Sequence, residues 1–114
     1  MKIEKFEDII SWQKSKKLTK ELYKLFENTN DFAFKNQILR ASLSIMNNIA
    51  EGFERKTNKE FKFFLFVAKG SSGEVRSMLN LALDLNKIDE KSFNRLYNLS
   101  MEISKLHSGL IKKL

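Results

Sequence analysis

Apolar residues recur at three- and four-residue steps along almost the whole chain, and no segment shows the strict alternation of a half-buried strand. The first periodic segment runs from about Asp8, a good N-cap candidate, to Glu27, with Ile9, Trp12, Leu18, Leu22, Leu25 and Phe26 forming its inward stripe. It ends in the turn formers ENTND. The second starts near Asp31 or Phe34 and reaches about Glu54, with Ile38, Ala41, Ile45, Ile49 and Gly52 in register. TNKE, with Thr57 followed by Glu60, reads as a capping box that opens the third helix. The stripe of that helix is Phe61, Phe64, Leu65, Ala68, Ser72, Val75, Leu79 and Ala82, and it closes at LNKID. A fourth helix opens near Asp89 and carries Phe93, Leu96, Ser100, Ile103, Leu110 and Leu114. Proline is absent and glycine scarce, so the helices are long and the turns short. The pattern predicts an all-α fold, an antiparallel up-down-up-down four-helix bundle, as one domain over residues 1–114.

Two of the helices carry more apolar surface than a bundle asks of them. A bundle helix needs one stripe of about 100°. The third helix has a second row, Phe63, Val67, Gly70, Glu74 and Leu81, and the second helix adds Leu39, Leu43, Met46, Ala50 and Phe53. Homo-oligomerisation would cover both rows. Deep burial of the two middle helices within one bundle is the plainer alternative.

Polar residues also fall at positions that periodicity places inside. Ser44, Asn48, Glu51 and Arg55 follow one another on one side of the second helix, with Arg40 one turn earlier, while Ser71 and Glu74 lie one turn apart on the third. A buried polar group costs free energy unless a partner satisfies it. The set is therefore expected to form a hydrogen-bond and ion-pair network that fixes helix or subunit register. A polar pocket for a small ligand or metal around Glu51 and Glu74 is the alternative. Gly70 and Gly73 each cost a helix about 1 kcal/mol relative to Ala, and close approach of another backbone is the expected compensation.

Composition narrows the chemistry. With 114 residues, 42% of them hydrophobic, the chain suits a single core that buries roughly two thirds of the unfolded surface. No cysteine is present, so disulfides, thiolate metal sites and thiol nucleophiles are excluded. MKIEKFEDII lacks the apolar run of a signal peptide, and no stretch approaches about 18 consecutive apolar residues; a cytoplasmic location without membrane binding is expected. The one histidine, His107, reads as a partly exposed residue near a helix end. Neither paired Glu-x-x-His motifs, nor a His–carboxylate set around a serine, nor a phosphate-binding glycine loop occurs. No catalytic, cofactor-binding or metal-ligating residue is assigned, and an enzyme is not expected.

The formal net charge is +7, and its distribution matters more than the total. Residues 55–76 hold six cations against two acids. Lys59, Lys62, Lys69 and Arg76, interleaved with Phe66, make one cationic helix face; Lys17, Lys20 and Lys24, with Lys14 or Lys16, make another, and Arg55 adds to the first. Such stripes bind phosphate backbones by charge neutralisation and counterion release, and an outward aromatic ring stacks on an unpaired base. The bland reading is a lysine surface that keeps the protein in solution. Membrane binding is disfavoured because these faces belong to helices already committed to a core.

The segments FEDIISWQKSKKL, QILRASLSIMNNIAEGFER and EFKFFLFVAKGSSGEV, with the helical C-terminal part, resemble the four-helix-bundle family encoded in intervening sequences of bacterial 23S rRNA genes. Asn48, Ile49, Ala50, Glu51, Gly52, Glu60, Phe61, Phe64, Leu65, Ala68, Gly70, Ser71 and Glu74 match the family pattern. Members often carry two arginines before the alanine, where this chain has Leu39 and Arg40, and the proline usual in the preceding loop is missing. The resemblance implies a cyclic homopentamer with a central opening and no established enzymatic activity. Similarity to the accessory protein of diversity-generating retroelements, a basic pentameric bundle, further implies nucleic acid and a protein such as a reverse transcriptase as partners.

Overall fold

A 3-10 turn at Phe6–Asp8 leads into α1 (Ile10–Leu25), α2 (Phe32–Phe53), α3 (Asn58–Asp84) and α4 (Glu90–Lys113) in a computed structural model that describes residues 3–114. The first two positions of the predicted domain therefore lie outside the described residues. Side chains at the helix starts explain three of the boundaries. Asp31 accepts from the Phe34 amide (3.1 Å), Thr57 from Glu60 (3.1 Å) and Asp89 from Ser92 (2.8 Å), each satisfying an amide that the first turn leaves without a helical partner. The Thr57 hydroxyl in turn donates to the Glu60 carboxylate at 3.0 Å, so the two side chains of the predicted capping box meet through this bond rather than through the Thr57 amide. At the end of α3, Asn86 takes φ 59°, the Lys87 amide reaches the Ala82 carbonyl (2.8 Å) and the Asn86 amide that of Leu83 (3.1 Å). This is the Schellman arrangement, with asparagine supplying the left-handed residue. The start of α1 differs from expectation: Asp8 belongs to the 3-10 turn, and Ile9, without a side-chain cap, occupies the N-cap position.

Each helix packs against the next, and α1 closes the ring against α4. Cross-helix contacts run in opposite senses along every seam. Thr19 and Phe26 at α1 meet Ser42 and Phe34 of α2, Ser44 and Gln37 of α2 meet Ser71 and Glu74 of α3, Ser72 and Arg76 of α3 meet Ser104 and Ser100 of α4, and Lys14 and Glu21 of α1 meet Glu102 and Arg95 of α4. The helices are thus antiparallel, and the molecule measures 43 × 22 × 19 Å. Leu18, Leu22, Ile38, Ile45, Ile49, Leu65, Leu79, Leu96 and Ile103 fill the interior from the predicted stripes. Edge-to-face ring pairs, Phe26 with Phe34 and Phe53 with Phe61, close the core near the α1–α2 and α2–α3 turns.

The two extra apolar rows have different fates. On α2, Leu39 is buried and Leu43, Met46, Ala50 and Phe53 are half-buried within the single chain. On α3, Phe63 (60% exposed), Val67 and Leu81 stand in solvent, with Leu85 continuing their line beyond the helix end. Nor does another backbone of this chain approach Gly70, around which nothing would lie within 4 Å of an added Cβ.

Candidate nucleic-acid interface

The α2–α3 seam joins only part of the predicted polar network. Ser44 and Ser71 share a hydroxyl–hydroxyl hydrogen bond of 2.9 Å, and the Asn48 amide donates to both the carbonyl (2.8 Å) and the hydroxyl (3.0 Å) of Ser44. All three are half-buried. The carboxylates expected beside them instead sit at the exposed rim. Glu51 pairs with Arg55 just past the end of α2 (2.9 Å), and Glu74 accepts from Gln37 of α2 (2.7 Å). Arg40 is exposed and forms none of the ion pairs among the described residues. The physical reason is solvation: a carboxylate that reaches water by standing one helix position off the seam avoids the cost of burial.

Buried polarity lies elsewhere, in small hydroxyls and one imidazole. Thr19 of α1 bonds Ser42 of α2 at 2.6 Å and also donates to the Ser15 carbonyl. In the α3–α4 seam, Ser72 and Ser104 share a bond of 3.1 Å, and the Ser100 hydroxyl donates to the Ser72 carbonyl (3.1 Å). Arg76 reaches into this set: its Nη1 donates to the Ser100 hydroxyl (3.1 Å) and carbonyl (3.3 Å) and to the Ser104 hydroxyl (2.9 Å). That geometry spends one edge of a half-buried guanidinium on α4. His107, expected to be partly exposed, is fully buried, with its Nδ1 2.7 Å from the Ile103 carbonyl oxygen and no partner for Nε2. Burial pushes its pKa down; the Ile103 carbonyl opposes that shift, and the charge of Lys69 adds to it. The one signal for these residues in the sequence is spacing: Ser11, Ser15, Thr19 and Leu22 step along α1 at three- and four-residue intervals, as do Ser100, Ile103, Ser104 and His107 along α4.

The predicted cations occupy two separate surfaces. Lys17, Lys20 and Lys24 are exposed on α1, where Lys16 lies 5.4 Å from the Trp12 ring centroid and Lys14 is held by Glu102 at 3.1 Å. Lys59 and Lys69 are exposed and Lys62 half-buried on α3, beside Phe66, which is 54% exposed. Arg55 lies over the Phe64 ring at 4.9 Å while paired to Glu51. Lys17, Lys20, Lys24, Lys59, Lys62 and Lys69 take part in none of the ion pairs among the described residues. Unpaired ammonium groups on rigid helices are able to neutralise phosphates without first breaking an internal pair. Among the described residues no group of three or more His, Asp or Glu side chains is placed to hold a metal ion, and no helix is long and apolar enough to cross a membrane.

Comparison with known proteins agrees with the architecture. A solved structure of a protein of unknown function from the S23 ribosomal protein family of Bacteroides thetaiotaomicron is 27% identical and superposes with a TM-score of 0.84, covering 90% of this chain and 99% of that one. No curated protein matches the chain. The family model described as 23S rRNA-intervening sequence protein matches residues 7–109, nearly the whole bundle. The chain belongs to the 23S rRNA-intervening sequence protein family.

Proposed function

We propose that this chain is a non-enzymatic, cytoplasmic, self-associating protein that binds RNA or DNA through its basic helix faces. The observation that carries the reading is the set of unpaired lysines on α1 and α3, together with exposed Phe66, in a chain of net charge +7. The contacts are to phosphates, so binding is largely independent of sequence and falls steeply with salt. Lys17, Lys20, Lys24, Lys59, Lys62 and Lys69 supply most of the charge. Arg55 and Arg76 contribute less, because each already holds an internal partner. Self-association, as a pentamer on the family resemblance, covers the α3 row of Phe63, Val67 and Leu81 and repeats each basic face by symmetry.

The test is a titration of labelled structured RNA and of single-stranded DNA at low and moderate salt. Affinity at low salt that drops linearly in a log–log plot supports the reading; negligible affinity at low salt, or affinity unchanged by salt, overturns it. A second reading, a scaffold that docks another protein such as a reverse transcriptase, is favoured by that same exposed α3 row. Retention of a purified partner by the wild type and its loss on Phe63→Asp, with nucleic-acid affinity unchanged, would select it.

A further inference from the structure

The basic face of α1 does not stand alone on a convex helix. It borders a shallow, open groove of about 610 Å³ between α1 and α2, in which Lys16, Lys20, Lys24 and Lys35 surround Tyr23 and Met46. Tyr23 is 46% exposed, and none of those four lysines takes part in an ion pair among the described residues. Glu27 is the one acid lining the groove, and Thr19 beside it is already engaged by Ser42. Tyr23 and Lys35 also line an adjoining concavity across α2 that contains Arg40, so the basic path continues past the ring.

We propose that this groove seats an unpaired nucleic-acid strand, with Tyr23 stacking on a base and Lys20, Lys24 and Lys35 meeting the flanking phosphates. The inference rests on the nucleic-acid reading above and deepens it by naming the strand state and the site. An aromatic ring set among unpaired cations in a concave surface is the arrangement that single strands use, since every base has a π-face while a duplex keeps its bases stacked within. Phe66, 54% exposed beside Lys59, Lys62 and Lys69, is the competing platform on α3.

Fluorescence anisotropy with labelled oligouridine, oligodeoxyuridine and a blunt RNA duplex tests the assignment on wild type, Tyr23→Ala, Tyr23→Phe and Phe66→Ala. Tyr23→Ala should weaken strand binding roughly 5- to 150-fold, and Tyr23→Phe should retain it. Duplex affinity should change little, and the sugar that shows the larger Tyr23 dependence identifies RNA or DNA as the strand. Strand binding by wild type that Tyr23→Ala leaves intact, or that Phe66→Ala abolishes instead, overturns the groove while leaving the broader reading standing. Failure of the wild type to bind any of the three probes overturns both.

Discussion

Gly52 of α2 and Phe64 of α3 approach so closely that a Cβ on the glycine would lie 2.7 Å from the phenylalanine Cβ. Phe61 closes the other side, with its ring 3.0 Å and its carbonyl oxygen 3.3 Å from the same point. A Cβ next to the main chain has no flexible end to swing aside, so the helices themselves would have to separate. Gly52→Ala should therefore destabilise the fold by about 1–3 kcal/mol through overpacking, more than the 0.5–1 kcal/mol that alanine gains as a helix former. Urea denaturation should show a lower midpoint with unchanged slope.

Acid should weaken the fold through His107. Its folded pKa is lowered from 6.5 because burial penalises the imidazolium, so below about 6.5 the unfolded chain takes up a proton that the native chain does not. Stability from this group is complete above that value and falls as the pH drops toward the folded pKa. His107→Leu should flatten the dependence of the urea midpoint between pH 7.5 and 5, whereas an unchanged slope would show that another group carries it. Asp31 and Asp89 act at lower pH. Asp31 is held down by hydrogen bonds from Lys87 and the Phe34 amide, and Asp89 by those from Ser92; both lose their contribution as the pH falls through the carboxylate range.

Most of the architecture was legible because period and caps agreed. Thr57 and Asp89 marked two helix starts, and the inward stripes filled the core. Two kinds of residue misled. Glu51 and Glu74 share a helix side with Ser44 and Ser71, yet a long side chain at the seam's margin can turn to water, and periodicity does not resolve the margin. Ser15, Thr19 and His107 went the other way, since a small hydroxyl in a helix can donate to the carbonyl one turn back and be buried cheaply, whereas Ser72 and Ser100 already fell on the inward stripes. Tyr23 has no such signature, because one aromatic on a lysine-rich helix carries no periodic signal; the groove appears only when α2 is set beside it.

The exposed row on α3 sets the expected mass. Size exclusion with light scattering should give a species several times the 13.4 kDa protomer at micromolar concentration. Val67→Glu or Leu81→Glu should shift it toward the protomer without loss of helical circular dichroism, because both side chains stand in solvent in the single chain. A wild type that elutes as one protomer would remove the symmetry argument.

Asn86 offers a test of the α3–α4 turn. Its positive φ favours glycine and asparagine over any β-branched residue. Asn86→Val should cost about 1–2 kcal/mol and Asn86→Gly should be close to neutral, read from thermal or urea melts.

The helix ring is not equally fastened all round. The seam between α1 and α4 is the slimmest, and the ion pairs that span it, Lys14 with Glu102 and Arg95 with Glu21, are partly solvated and so contribute little. On its other side α1 is tied to α2 by the Thr19–Ser42 bond and the Phe26–Phe34 ring pair. The protein thus has a preferred line of opening, along which α1 would swing out while α2, α3 and α4 stay together. Its amides should trade deuterium ahead of those in α2 and α3, in a cooperative unit separate from global unfolding.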